Sequence, residues 1–264
     1  MASLTLSSGV NSPSEKGNRG FRILEEYLQP SSSTTSSAAA QNIHGLAEPL
    51  LYGSNTDDLE DFVWEFWGIF LNVAKQIPYD SPSQERLIEL VKALIEIPAT
   101  TIQVWGDDTR LWADLPFLGP NVREAWNPPT PDDSEKEIQE WVNLNSFTAR
   151  LVTVDATSWT LFAVWALRDA LEEEASGSKL DCNVAVAREW LNHGGPVLRR
   201  QVTVADDKEE RMMAGGPLYQ GPAKLCPERW RFWKERLSKI CDQGGDVGQV
   251  ASAAKEAMDR VEGK

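Results

Sequence analysis

Apolar residues recur with helical spacing along most of this chain. The clearest run is Leu59, Val63, Phe66, Phe70, Val73 and Ile77, with Trp64, Trp67 and Leu71 as an adjacent stripe. Only a narrow polar stripe remains, through Asp58, Asp61, Glu65, Gly68 and Asn72, so this helix is expected near the centre of the fold, ending before Pro78. Thr56 is its expected N-cap, and Asp57, Asp58, Glu60 and Asp61 fall where the helix dipole favours negative charge. Ser81 and Pro82 start a second helix, with Leu87, Leu90, Val91, Leu94 and Ile97 inward and Pro98 as its stop.

A connector rich in proline and tryptophan follows, from Ala99 to Pro131, with a short helical piece at Val122 to Trp126. Three further helices are expected at Glu135 to Val154, Ser158 to Ala175 and Leu180 to His193, the last closed by Gly194 and Gly195. A polar excursion from Pro196 to Pro222 leads into CPERWRFWKERLSKIC and a final helix from about Val247 to Val261. No sustained alternation of apolar and polar residues argues for a sheet. The expected fold is all-α, a single irregular bundle of six to eight helices spanning residues 46–262.

Residues 1–45 read differently. Ser31 to Ala40 is a low-complexity run of Ser, Thr and Ala, and the segment as a whole is expected to be a disordered tail. Within it FRILEEYL, Phe21 to Leu28, has the spacing of an amphipathic helix that could dock on the body or on a partner, or form only transiently.

Composition narrows the chemistry. All eleven tryptophans lie between Trp64 and Trp233, enough aromatic surface for a core that folds without metal or disulfide staples. Cys182, Cys226 and Cys241 form no CxxC pair, and with only His44 and His193 there is no zinc spacing, so no metal and no cofactor is expected. The net charge is −14, and Asp57 to Glu174 carries 23 acids against 8 bases. Such a field repels phosphate backbones and disfavours nucleic acid as a partner. No secretory leader and no membrane-length apolar run is evident, which points to the cytoplasm, with the nucleus as the alternative.

Asp57-Asp58-Leu59-Glu60-Asp61 fits the D-D-x-x-D pattern that holds magnesium and diphosphate in terpenoid synthases, but no second metal-binding segment follows it. Helix capping accounts for these acids without a metal. The candidate ligand contacts are Glu65, Asn143, Asn145 and Arg150; a buried Asn145 could equally fix helix packing. Arg168 has Glu172 one turn on, which reads as an intrahelical ion pair, and Glu189 has His193 one turn on. The helix expected at CPERWRFWKERLSKIC, Cys226 to Cys241, sets Trp230 and Trp233 among basic residues. Arg229, Trp230, Trp233 and Arg236 form a candidate surface for an acidic partner or RNA, or the helix docks on the acidic first half of its own body.

The segments DDLEDFVWEFWGIFLNVAKQIPYDSPSQERLIELVKAL, WADLPFLGPNVREAWN, WVNLNSFTARL, LFAVWALRDALEEE and CPERWRFWKERL, spread over about Leu51 to Met258, resemble a filamentous-fungal family, the domain-of-unknown-function family numbered 3632. The resemblance implies a mainly helical fungal protein and carries no catalytic residue onto this chain. It also leaves open an accessory role beside a natural-product pathway. The functional expectation is a non-catalytic interaction or regulatory module, binding a protein or small molecule and no membrane. The alternative is a small accessory enzyme of fungal specialised metabolism using a Trp-lined pocket.

Overall fold

The segment 1–45, expected as a disordered tail, holds one helix and most of a second in the computed structural model, which describes residues 3–53, 57–130, 132–204 and 209–263. Helix α1 (Glu15–Leu28) contains the FRILEEYL segment and buries Leu24, Tyr27 and Leu28. Helix α2 (Ser36–Leu51) starts at Thr35, whose Oγ1 accepts the Ala38 N–H at 3.1 Å. Its buried face is Ala39, Ala40, Ile43, Leu46 and Ala47, which follows helical spacing. The alanines that gave the segment its low-complexity look are therefore the contact surface, because small side chains let helices approach closely.

Helix α3 (Asp57–Gln76) has the acidic first turn expected of it, and its N-cap candidate Thr56 lies outside the described residues. Phe66, Trp67 and Phe70 are fully buried; Phe66 and Trp67 meet Trp112 edge-on, with ring centroids at 5.9 Å and 6.1 Å, and Phe70 packs edge-on against both of them. Trp112 Nε1 donates to His44 Nδ1 at 3.2 Å, which ties this cluster to α2. Helix α4 (Pro82–Ile95) is capped by Ser81, and Arg86 donates to the carbonyls of Tyr27 and Thr34, closing the α1–α2 connection.

The polar stripe of α3 is covered by the chain's own N-terminal segment. Gln76 Oε1 accepts the Ser7 N–H at 2.9 Å, Asn72 Nδ2 donates to the Ser8 carbonyl at 3.2 Å, and Glu65 accepts the Ser14 N–H at 2.7 Å. Gly17 makes the last contact possible, since a Cβ there would stand 2.6 Å from the Glu65 carboxylate. Gly17→Ala would gain about 1 kcal/mol of helix propensity at an open site. Here it must displace Glu65 and lose two hydrogen bonds from Ser14, each worth ~0.5–1.5 kcal/mol. A net loss of about 1 kcal/mol in denaturant unfolding is expected; a stabilised variant would show that the Glu65 contact contributes nothing.

The connector holds a small sheet, contrary to the helix-only expectation. Strands β1 (Thr101–Val104) and β2 (Asp107–Arg110) pair antiparallel from Thr101↔Arg110 to Val104↔Asp107. Four-residue strands leave Ile102 and Val104 as the whole alternation signal. Helix α5 (Leu118–Ala125) begins earlier than the expected Val122. Between these elements Trp105, Trp112, Leu115 and Phe117 all have positive φ, from 48° to 65°. That conformation costs a non-glycine residue about 1–2 kcal/mol. Burial of Trp112 and Phe117, at 0% and 4% exposure, offsets it there.

The chain divides into two compact units, Met1–Pro128 and Pro129–Lys264, in place of the single body expected from residue 46. The division falls at Pro128-Pro129, where two prolines interrupt any continuing helix. The second unit is built from α6 (Glu135–Leu151), α7 (Ala156–Leu171), α8 (Gly177–Glu189), α9 (Gly195–Thr203), α10 (Pro227–Cys241) and α11 (Gly245–Glu262). A capping box of Ser134 and Glu137 starts α6. In this unit α8 packs on α6, α7 and α11, and α10 packs on α11 and α7.

Gly194 and Gly195 do not stop the chain. A π-helical turn, Trp190–Gly194, joins α8 to α9, and Pro196 sits in the first turn of α9, where its missing N–H costs nothing. Gly194 lies against α6, its would-be Cβ 3.5 Å from the Ala149 carbonyl oxygen. The fold is all-α as expected, with the small hairpin added. Its helices among the described residues exceed the six to eight expected, because α1, α2 and α9 were not anticipated as ordered elements.

Candidate functional site

Helix α6 buries Asn143, Asn145, Ser146, Thr148 and Arg150 together, so each polar group must find a partner or cost about 1–3 kcal/mol. Asn145 Nδ2 donates to the Trp141 carbonyl at 2.9 Å, and its Oδ1 accepts from Trp190 Nε1 at 2.9 Å. Asn143 Oδ1 accepts from Gln139 Nε2 at 2.9 Å. The Asn145 pairing fixes how α6 meets the π-helical turn. Trp190→Phe keeps most of the aromatic volume and orphans Asn145 Oδ1; a loss of about 1–3 kcal/mol is expected from urea unfolding. An unchanged midpoint would show that the pairing is idle.

At the next residue, Ser146 Oγ donates to Glu189 Oε2 at 2.6 Å. Arg150 Nη1 donates to Ser146 Oγ and to the Ser146 carbonyl, the latter at 3.0 Å. Glu189 also pairs with Arg188 at 2.9 Å and faces His193 Nε2 at 3.3 Å. Burial pushes the Glu189 carboxyl upward, but hydrogen bonds from His193 and Ser146 and the Arg188 charge outweigh it and hold the group below the usual carboxylate range. A hydroxyl-activating triad needs the imidazole between hydroxyl and carboxylate. Here the carboxylate stands between, and one held below its usual range is a weak proton acceptor at neutral pH. The cluster orients side chains more than it activates them.

A second buried node joins α7 to α10. Glu172 and Arg229 are both fully buried; Arg229 Nε donates to Glu172 Oε1 at 2.6 Å and Nη2 to Oε2 at 2.9 Å. Trp233 Nε1 donates to the same Oε1 at 2.6 Å and the Gly216 N–H to Oε2 at 2.9 Å. Arg229 Nη1 reaches the Met213 carbonyl at 2.6 Å. The node therefore pins the polar excursion near residue 213 onto the helices. Arg168, expected to pair with Glu172, lies beside Asp169 at 3.4 Å, because Arg229 holds that carboxylate.

The candidate partner surface is corrected by the same geometry. Arg229, Trp230 and Trp233 are buried, and the half-buried Arg236 donates to the Leu171 carbonyl at 3.2 Å. Trp230 Nε1 donates to Glu262 at 2.8 Å and Lys234 pairs with Asp259 at 2.5 Å, so the basic helix docks beside Glu172 at the end of α7 and on the acids of α11, the latter outside the acidic first half expected to receive it. Its apolar stripe is core.

In the first unit an open trough of about 610 Å³ is lined by Glu15, Lys16 and Arg19 from α1 and by Asp58, Asp61, Phe62 and Glu65 from α3. Glu65, a candidate ligand contact, spends its carboxylate on Ser14 at one end of this trough. Asp57 and Asp58 occupy the first turn of α3, and among the described residues no group of three His, Cys, Asp or Glu is placed to hold a metal ion. Of the thiols, burial and then Asp181 push Cys182 up to about 11, and burial also raises Cys241. Cys226 packs against the Tyr219 hydroxyl at 3.5 Å.

Trp105 lies outside the residues expected to carry function. It sits at the hairpin turn with Gly106, is 68% exposed, and meets the buried Phe117 edge-on at 5.1 Å. Trp64 of α3 meets the same ring at 5.7 Å, so Phe117 is held between two tryptophans. The signal that could have found this shelf was TIQV-WG-DDTR, two short runs around a two-residue turn.

These features define an α-helical, tryptophan-rich protein whose buried polar groups largely bind one another. The chain belongs to the family described as protein of unknown function (DUF3632), which matches residues 67–237. It is also similar to oxopyrrolidines biosynthesis cluster protein G of Penicillium oxalicum, with 22% identity over 233 residues. That match covers 75% of this chain and 64% of the relative, so less than two thirds of the relative's length is spanned. No solved structure matches the chain. Among the described residues no helix is long and apolar enough to cross a membrane.

Proposed function

We propose that this protein works by binding, as an interaction or regulatory module. The supporting observation is the internal commitment of its reactive groups. Glu172 is saturated by Arg229, Trp233 and Gly216, Glu189 by Ser146, Arg188 and His193, and the Cys182 thiol is held in its neutral form. Catalytic groups need a free face toward substrate and a pKa matched to their task. The test is to incubate purified protein with an extract of cells lacking its gene and follow every metabolite. Stoichiometric capture of a molecule, or none, agrees with binding; consumption of many equivalents per protein overturns it.

A second reading is an accessory enzyme of fungal specialised metabolism, and the name of the Penicillium relative supports it. The trough beside Glu65 would then be the place for a substrate. Metabolite profiling of the deletion strain separates the two when combined with the extract assay. A lost product pool together with turnover by the purified protein favours the enzyme, and a lost pool without turnover favours the module.

A further inference from the structure

Trp105 combines two costs that nothing inside the protein explains. Its backbone is left-handed at φ 52°, a conformation suited to Asn or Gly at the first position of a two-residue hairpin turn, and its large apolar ring is 68% exposed. Bulky residues held in such conformations concentrate at functional sites. Trp112 and Phe117 share the strain but are buried, so packing accounts for them. Trp105 is instead presented outward, braced by Phe117 at 5.1 Å, which in turn is braced by Trp64 at 5.7 Å.

The surroundings define what such a ring can receive. Asp107 and Asp108 follow the turn directly and are exposed, and the first unit as a whole has 17 acidic against 8 basic residues. An exposed indole face in a negative field selects a cation, and that field repels phosphate-bearing ligands that would otherwise stack on the ring. The hairpin adds a direction. With Val104↔Asp107 closing the turn, the next pair Gln103↔Asp108 turns its backbone N–H and C=O groups away from the partner strand. On β2 this outward set is partly taken, since Asp114 accepts the Arg110 N–H at 2.7 Å. On β1 it is carried by Thr101 and Gln103, both exposed.

We infer that the outer edge of β1 and the Trp105 shelf form a docking site for an extended, arginine- or lysine-bearing segment of a partner protein. The segment adds as a third strand beside Thr101 and Gln103, and one of its cationic side chains lies on the Trp105 ring next to Asp107 and Asp108. The inference rests on the binding-module reading and supplies its partner's chemistry.

The test uses the full chain and a fluorescein-labelled octapeptide of alternating threonine and arginine, read by anisotropy. Binding that weakens with salt is expected, together with a loss of about tenfold or more in affinity for Trp105→Gly. An octapeptide of threonine and glutamate should not bind. Because glycine is at home with positive φ, Trp105→Gly should melt no earlier than the parent chain. A much earlier melt would make Trp105 a structural residue and overturn the proposal. Equal binding by Trp105→Gly, or no binding by the parent, would also overturn it. Equally tight binding of N-acetyl-arginine amide would overturn the strand addition. None of these failures touches the binding-module reading, which falls only on turnover in the extract assay.

Discussion

Glu172→Ala should be the most damaging single polar substitution in the second unit, lowering unfolding free energy by about 3–5 kcal/mol or more. Removing one partner of a buried ion pair strands the other, and that alone costs in this range. Glu172 has further dependants, since the Trp233 indole N–H and the Gly216 N–H lose their acceptor with it. Each buried donor left without a partner adds about 1–3 kcal/mol where water cannot enter. Arg229→Ala leaves the carboxylate its bonds from Trp233 and Gly216, so it should cost less than Glu172→Ala. The paired change Glu172→Leu with Arg229→Met removes both charges and should recover part of the loss, leaving the two orphaned donors as the remainder. Denaturant unfolding of all three variants checks the ranking. An Arg229→Ala variant weaker than Glu172→Ala would mean that the carboxylate is not the hub.

The helices were legible wherever one face was apolar and the other charged. α3 and α4 follow their periodicity and their prolines closely, and α6 starts at the expected Glu135. The N-terminal helices were misread for a physical reason. Disorder was inferred from polarity and small residues, yet α2 buries a stripe of alanines whose contribution comes from close backbone approach, a quantity that hydropathy does not register. The glycine pair at 194 and 195 misled in the opposite sense. Glycine often ends a helix because it tolerates positive φ, but both residues here keep helical backbone angles, and Gly194 serves a close approach to α6. The hairpin's signal was faint, because β1 buries only Ile102 and Val104 and β2 buries no residue, which leaves the two-residue turn between two short runs to carry it.

The site was legible only in part. Buried polar residues on α6 could be anticipated from their place on an apolar face, and Asn145 does hold a helix contact. Their partners could not be anticipated, since Glu189 and Trp190 come from a segment some forty residues away. For Arg168 and Glu172 the local rule of pairs one turn apart failed because a distant arginine offered two parallel bonds, a stronger geometry than an exposed helix pair provides. Trp105 went unnoticed among eleven tryptophans because its distinction lies in backbone conformation and exposure.

Trp233→Ala is expected to cost about 3–5 kcal/mol, the range for truncating a large buried aromatic residue. Trp233 is fully buried, with Trp230 6.4 Å away between ring centroids and the Arg229 guanidinium 5.5 Å from its ring. Two contributions can be separated. Trp233→Phe keeps most of the apolar volume and loses the indole N–H to Glu172, a bond to a charged acceptor worth about 1.5–3 kcal/mol. The further step from Phe to Ala then reports the cavity. The Glu172 and Trp233 substitutions share that hydrogen bond, so their effects should fall short of additive, with a coupling of about 0.5–3 kcal/mol in a double-mutant cycle. A soluble Trp233→Ala protein with an unchanged unfolding midpoint would contradict the burial of this stripe. It would return α10 to the surface, where the same aromatic and basic residues would become the first place to seek an external partner.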